Sequence, residues 1–370
     1  MLQFTPTGAV LAAATTSLPE TIGEVRNWDY RFCWIRDGSM TVDILHRIGH
    51  HKMAESFINW MMHTVPTKDD SLQIMYGIRG EKTLTEETLT HLSGYQGSAP
   101  VRVGNAAYHQ QQHDIYGILM DLIYKDLMHH DLPELHPAPE ALDRRWTRVR
   151  SIIKTVEEYW QTPDRGIWEI RGEERHFVFS KVLCWVAVDR AIKIAQRLGK
   201  HTWADAHRTL REEIHHDVCS KGWNDEIKAF TQTYHSTDLD SANLLMAEYG
   251  FIDPMDTRFI STVELSDKEL CRDGLMYRYR NHDDFGEPSS AFTVCSFWMV
   301  KALARSGKRK EAKERFHTLL SYANPNGLYG EDLDFVTKRH LGNYPQAYSH
   351  LALIDCALEL AEDCHDYLIE

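Results

Sequence analysis

Apolar side chains recur at three- and four-residue spacing along almost the whole chain. Met40, Ile44 and Ile48 fall at i, i+4, i+8 with Leu45 beside them. Met53, Phe57 and Met61 repeat the pattern, and Ile58 and Met62 widen the stripe. This is the period of helices that bury one face. The spacing predicts helices over about 38–49, 52–65, 107–128, 139–160, 176–198, 202–218, 239–249, 290–306, 308–322 and 346–363. The two-residue alternation of a strand is scarce and short, as in LMYRYR at 275–280.

The predicted helices come in pairs. His50-His51 separates the first two, and Ser306-Gly307 separates 290–306 from 308–322. Linkers this short place consecutive helices antiparallel and side by side. Other connections are long and polar: 67–106, 163–175, 220–238, 269–289 and 323–345. Long ordered loops between packed helices usually carry function. The asymmetry predicts an all-α ring of helical hairpins, with short turns on one face and long loops on the other. No Pro/Gly/Ser-rich linker divides the chain, and HPAPE at 136–140 suffices only for a loop, so residues 1–370 read as one domain.

Composition narrows the partners. The 370 residues are 43% hydrophobic, enough for a full core, and 41 basic against 54 acidic side chains give a net charge of −13. That balance argues against a nucleic-acid backbone or an anionic membrane as the main partner. No apolar run approaches the roughly 18 residues of a membrane span. The patch GAVLAAATTSL near the start has no basic residue before it, Arg26 being the first, which is not the layout of a secretory signal. Seven cysteines, an odd number with no CxxC pair and several in apolar segments, read as reduced core thiols of a cytoplasmic protein.

Several chemistries have no foothold. His109 and His113 in HQQQH have the helical spacing of a metal pair, but Gln110 stands where a zinc hydrolase carries its glutamate base. P-loop, GxGxxG and GxSxG patterns are absent. Neither a metal nor another cofactor is expected. Two glutamates in the long loops have more suggestive company. Glu169 in GIWEIRGEERHFVFSK follows Trp168, and an indole against a carboxyl desolvates it and raises its pKa, while Arg171 pulls the other way. Glu331 in NPNGLYGEDLD follows Gly327 and Gly330, which let the backbone turn and carry a carboxylate into a cleft. Two carboxyl groups across a cleft are what glycoside hydrolysis needs, one as acid and one as base or nucleophile. Each glutamate taken alone also reads as a solvated loop residue.

Six blocks, in order, resemble the blocks of glycoside hydrolase family 15: NWDYRFCWIRD, LQIMYGIRGE, GYQGSAPVRVGNAA, GIWEIRGEERHFVFSK, SFWMVKAL and GNYPQAYSHLALI. The likeness is to the branch of prokaryotic glucoamylases, glucodextranases and trehalases, and it runs from about Thr5 to Leu360. It implies an (α/α)6 barrel and inverting hydrolysis from a non-reducing end, releasing β-glucose. Position by position, Glu169 resembles the family's general acid and Glu331 its general base. Arg36 and Asp37 resemble the pair that grips the terminal glucose, Trp34 and Trp168 line the same subsite, and Arg278 resembles a further sugar-binding arginine. Asp37 also fits a helix N-cap. Trp28, Tyr30, Phe32 and Cys33 read as packing that fixes the loop.

Two positions depart from the family: Gly330 stands where a serine commonly precedes the base, and NHDDFGEPSS at 281–290 fits poorly while bordering the leaving-group side. Bacterial relatives usually carry an N-terminal β-sandwich domain, and this chain starts almost at the barrel. The leading expectation is an exo-acting inverting α-glucosidase of glucoamylase type acting on small or oligomeric α-glucosides. An α,α-trehalase and a dextran or isomaltose glucosidase are the alternatives within the family. A catalytically silent carbohydrate-binding barrel is the alternative outside it.

Overall fold

A computed structural model describes residues 2–65, 72–129 and 139–361. The helices among them are α1 (Ile35–Arg47), α2 (His51–Thr64), α3 (Asp114–His129), α4 (Pro139–Tyr159), α5 (Val178–Arg197), α6 (His201–Ala206), α7 (Arg208–Lys221), α8 (Thr257–Leu270), α9 (Thr293–Arg305), α10 (Arg309–Leu320) and α11 (Ala347–Ala361). Burial separates them into two kinds. Nearly every side chain of α5 from Val178 to Ala195 is buried, and α9 is buried from Thr293 to Leu303. By contrast α7 buries only Ile214 and Val218, and α10 only Ala312 and Leu319. A helix apolar all round needs neighbours on every side, whereas a one-stripe helix belongs on the outside.

The packing follows that division. In chain order α1, α3, α5, a 3₁₀ turn at Ser241–Leu245, α9 and α11 each contact the next, and α11 returns to α1. These segments close an inner ring, with α2, α4, α7, α8 and α10 packed outside it. The alternation of inner and outer elements is that of an (α/α)6 toroid.

One device, used four times, sets which end of the ring is tight. Gly49, Gly199, Gly250 and Gly307 have φ of 81°, 70°, 73° and 85°, the left-handed region that glycine enters without a Cβ penalty. After each, the next N–H reaches back five residues: His50 to Leu45 O, Lys200 to Ala195 O, Phe251 to Met246 O and Lys308 to Leu303 O, at 2.7–3.0 Å. This helix stop satisfies carbonyls that would otherwise be orphaned and lets the chain double back at once. Short turns therefore follow the C-terminal ends of inner segments, and long loops collect at their N-terminal ends.

Three expectations change. Helix α8 lies in a stretch where no helix was predicted. Its buried face mixes Thr262 and Ser266 with Phe259, Val263 and Leu270, so the apolar stripe is diluted, and Asp256 caps it by accepting from Arg258 N at 2.8 Å. Helix α3 starts at Asp114, because Ala106–His109 forms a separate 3₁₀ turn and Gln110 is extended; His109 and His113 therefore share no helix face. The 239–249 prediction shrinks to the Ser241–Leu245 turn, where the Asp240 carboxylate caps Ala242 N at 2.8 Å and Asn243 donates into the Phe230 and Thr231 carbonyls. The LMYRYR alternation yields one two-residue strand, Leu275–Met276, paired with Cys271–Arg272. Residues 362–363 of the last predicted helix lie outside the described residues.

Among the described residues no helix is long and apolar enough to cross a membrane. Their cysteines are free thiols, with Cys33, Cys184, Cys295 and Cys356 buried.

Candidate active site

A pocket opens at the loop-bearing end of the ring, with about 770 Å³ of empty space counting its mouth. That is the size range of small-molecule sites. Its walls take Trp34, Arg36, Asp37, Trp168, Glu169 and Arg278 from three separate parts of the chain. The structure thus gathers six of the seven residues singled out in the sequence on one surface. The seventh, Glu331, stands one layer behind it.

The deepest corner is built by the start of α1. Cys33–Trp34 pairs antiparallel with Met75–Tyr76, and the helix begins immediately afterwards at Ile35. Trp34 is the N-cap residue, so Asp37 sits in the first turn rather than capping it, where a negative charge suits the helix dipole. Arg36 Nε donates to Asp37 Oδ1 at 2.9 Å, and another guanidinium nitrogen reaches Ile167 O at 3.0 Å. Asp37 is 4% exposed; burial raises its pKa while Arg36 opposes the shift.

Glu169 faces this corner from a strained turn. Its φ is +61°, a left-handed conformation that is costly for a residue with a side chain, closed by Glu169 N to Gly166 O at 3.2 Å. Trp34 Nε1 donates to Glu169 Oε1 at 2.6 Å, and Arg36 lies 3.9 Å from the same oxygen. Burial raises the Glu169 pKa, with Arg36 and then the Trp34 bond opposing. The sequence left the net direction open between the Trp168 indole and Arg171; burial decides it upward, and Arg171 opposes less than Arg36 and Trp34 do. Trp168 turns its Nε1 to Asp240, 2.9 Å from both carboxylate oxygens, while Arg171 is held by Glu86 at 2.6 Å.

Behind the opposite wall lies a buried acidic cluster. Glu331 is 0% exposed, and both its oxygens accept hydrogen bonds: Oε1 from Tyr30 OH at 2.5 Å and Oε2 from Asn343 N at 3.2 Å. Its backbone is pinned between Asn343 O and Thr293 N, beside the three-stranded ladder Ala291–Phe292, Asp332–Leu333, His340–Leu341. The glycines around it are there for space. A Cβ on Gly330 would meet Leu341 O at 2.7 Å, and one on Gly342 would meet Glu331 Cβ at 2.6 Å. Gly330, the departure from the family pattern, is thus required by this backbone contact, and Ser349 Oγ donates to its carbonyl at 3.0 Å.

Carboxylate oxygens of Glu20, Glu331 and Asp332 lie within 4.8 Å of one another. Glu20 lines the pocket, is ion-paired with Arg278, and accepts from Trp28 Nε1 at 3.1 Å. The guanidinium of Arg278 therefore offsets the cluster as well as facing the cavity. Burial, then Glu20, pushes Glu331 up to about 8, opposed by Tyr30, Arg278 and Asn343. On that value alone the proton would sit on Glu331. The hydrogen bonds point the other way, since donors aimed at both oxygens are what an ionised carboxylate accepts. Glu169, by contrast, receives a single strong bond, on one oxygen.

Tyr30 and Glu20 are the pocket positions that sequence reasoning missed. A usable signal existed for the first. Trp28, Tyr30 and Trp34 recur at even positions, the period of extended chain, and all three line the pocket. The Tyr30 and Trp34 rings meet edge-on at 5.3 Å. Each carries one glutamate, so a single aromatic pair sets both carboxyl groups. For Glu20 no local pattern marks the residue; its place depends on Arg278, far along the chain.

The ring and its pocket place the chain in a known class of fold. A bacterial glucoamylase solved in complex with acarbose superposes with a TM-score of 0.74 over 97% of this chain and 53% of that one, at 13% identity. The sequence is more specific. Residues 1–358 match the family described as Glycosyl hydrolases family 15, and the chain belongs to that family. Among curated relatives, the trehalase of Mycolicibacterium smegmatis is 42% identical over 365 residues, 97% of this chain and 53% of the relative. The trehalase of Mycobacterium tuberculosis is also 42% identical over 365 residues, 97% of this chain and 52% of the relative. The chain spans about half the length of these relatives.

Proposed function

We propose that residues 1–370 act as one catalytic unit, an inverting glycoside hydrolase that cleaves α,α-trehalose. The observation that carries the substrate is the 42% identity, over 97% of this chain, to relatives named trehalase. This reading takes the place of the glucoamylase-type expectation, whose support is the shared fold at 13% identity. The seven cysteines, read as thiols, suit a cytoplasmic setting.

In the proposed reaction one glucose ring occupies the deep corner. The Asp37 carboxylate and Arg36 guanidinium grip its hydroxyls with charge-assisted bonds, and Trp34, Trp168 and Arg278 shape the walls. Glu169 carries the proton for the departing oxygen; its raised pKa suits an acid, and its second oxygen is free of the Trp34 bond. Glu331 takes a proton from the attacking water on the other face of the ring, with Tyr30 orienting the carboxylate. Inversion needs room for that water between sugar and base, with the carboxyl groups roughly 6.5–9.5 Å apart.

Proton NMR during the first minutes of trehalose hydrolysis tests the scheme. Inversion yields one α- and one β-glucose per cleavage, because only the attacked ring changes configuration. Release of α-glucose alone would replace the base with a nucleophile. Glucose released from maltose but not from trehalose would restore the glucoamylase-type reading.

A further inference from the structure

The rim of the pocket is stitched shut along one side by 281–287, the stretch that departs from the family pattern. Three sets of contacts hold it. The Arg26 guanidinium pairs with Asp283 at 2.9 and 2.6 Å, with both side chains about 5% exposed, and also reaches Gly286 O at 2.8 Å. Asp284 Oδ2 accepts from Gly172 N at 2.5 Å, three residues beyond Glu169. Phe285 packs edge-on against Trp28 at 5.1 Å, and the Arg171 guanidinium lies 4.5 Å from the centre of the Trp28 ring and 5.8 Å from that of Phe285. A Cβ on Gly172 would meet Asp284 Oδ1 at 2.3 Å, so the two loops touch only because glycine stands there.

These contacts cross from the glutamate-bearing turn to the loop after Arg278, over the mouth. The pocket is graded in depth: Trp34 and Asp37 are 2% and 4% exposed at the floor, while Asp284 is exposed at the rim. A terminal sugar held at the floor puts its leaving group between Glu169 and this rim. The Trp28 and Phe285 faces line the space between the floor and this rim. A third ring would extend past the rim that Asp284 and Phe285 line.

We propose that Asp283, Asp284 and Phe285 are specificity-determining residues that limit the substrate to two sugar rings, with Arg26 and Gly172 as their anchors. The inference rests on the glycoside hydrolase reading above. It is tested by kcat/KM for trehalose, maltose, maltotriose and maltotetraose, measured for the wild type, Asp284→Ala and the Asp284→Ala/Phe285→Ala double variant. Both changes are at the rim, and thermal unfolding checks that the ring is intact. The expected result is a wild type that prefers disaccharides to the trisaccharide by at least tenfold. The single variant narrows that ratio and the double variant narrows it tenfold or more, mainly through KM. A wild type that cleaves maltotriose as readily as maltose overturns the inference, as does an unchanged ratio in folded variants. A wild type inert on every α-glucoside, trehalose included, removes the hydrolase reading and this inference with it, which separates the two failures.

Discussion

Glu169 and Glu331 are the same residue type, and the molecule treats them differently. Glu169 stands on a loop, its side chain 20% exposed, in a left-handed turn, with one indole on one oxygen and a guanidinium 3.9 Å away. Glu331 is fully buried, bonded on both oxygens, and crowded by Glu20 and Asp332. The first is placed by local backbone strain, and the second by elements more than three hundred residues apart. A carboxyl that must hand over a proton needs access to the leaving oxygen. One that must receive a proton from water needs a fixed direction and a tuned charge. The contrast predicts unequal responses to substitution.

The largest effect is expected from removing either carboxyl. Glu169→Gln and Glu331→Gln should each lower kcat by about 10²–10⁴-fold with little change in KM, the usual span for general acid–base groups. An activated leaving group such as fluoride should rescue the first variant and not the second. Rescue of both would erase the distinction between acid and base.

Gly342→Ala comes next. The added Cβ would press on Glu331 from 2.6 Å at a position with φ +70°, a strain on the order of 1–3 kcal/mol. Thermal unfolding should show the loss, with kcat falling too because the base is displaced. The same substitution at Gly286, where a Cβ meets nothing within 4 Å, should show only the backbone part.

Tyr30→Phe and Glu20→Gln form a pair of opposite sign. The Tyr30 bond lowers the Glu331 pKa and Glu20 raises it. A general base works ionised, so with Glu331 in the proposed role activity falls as pH drops through its pKa. Losing the Tyr30 donor therefore moves the acid limb of the kcat/KM profile to higher pH, with about tenfold or more lost at neutral pH, the scale of a hydrogen bond to a charge. Losing Glu20 moves that limb to lower pH. Shifts of the same sign in both variants would show that the acidic cluster does not set the base.

Trp168→Phe should have the smallest effect, a change of a few-fold confined to KM. Its Nε1 is spent on Asp240 rather than on Glu169, so the substitution removes an indirect support. Steady-state kinetics on trehalose would check this, and a large kcat effect would place the indole closer to the chemistry than its hydrogen bonds do.

Much of the ring was legible in advance because its cause is local. The apolar period, the short links at His50-His51 and Ser306-Gly307, and the long polar loops between pairs together required hairpins with two unlike faces. What escaped was either diluted or distant. Helix α8 hides its stripe by using Thr262 and Ser266 as buried residues, and the Thr262 hydroxyl accepts from Phe230 N and donates to Arg258 O. In the pocket, Trp34, Arg36 and Asp37 were readable because one helix start presents all three. Tyr30 was assigned to packing because the partner of its hydroxyl, Glu331, is 301 residues away.

By itself, the sequence determined the helical ring, the end of it that carries the loops, and the two glutamates worth attention. Period, turn chemistry and residue type are properties of neighbours along the chain. Tertiary structure decided which indole meets Glu169, which hydroxyl meets Glu331, where Arg278 spends its charge, and that 281–287 spans the mouth. Those outcomes depend on which atoms come within about 3 Å once the ring closes, and no pairing of that kind is written in local order.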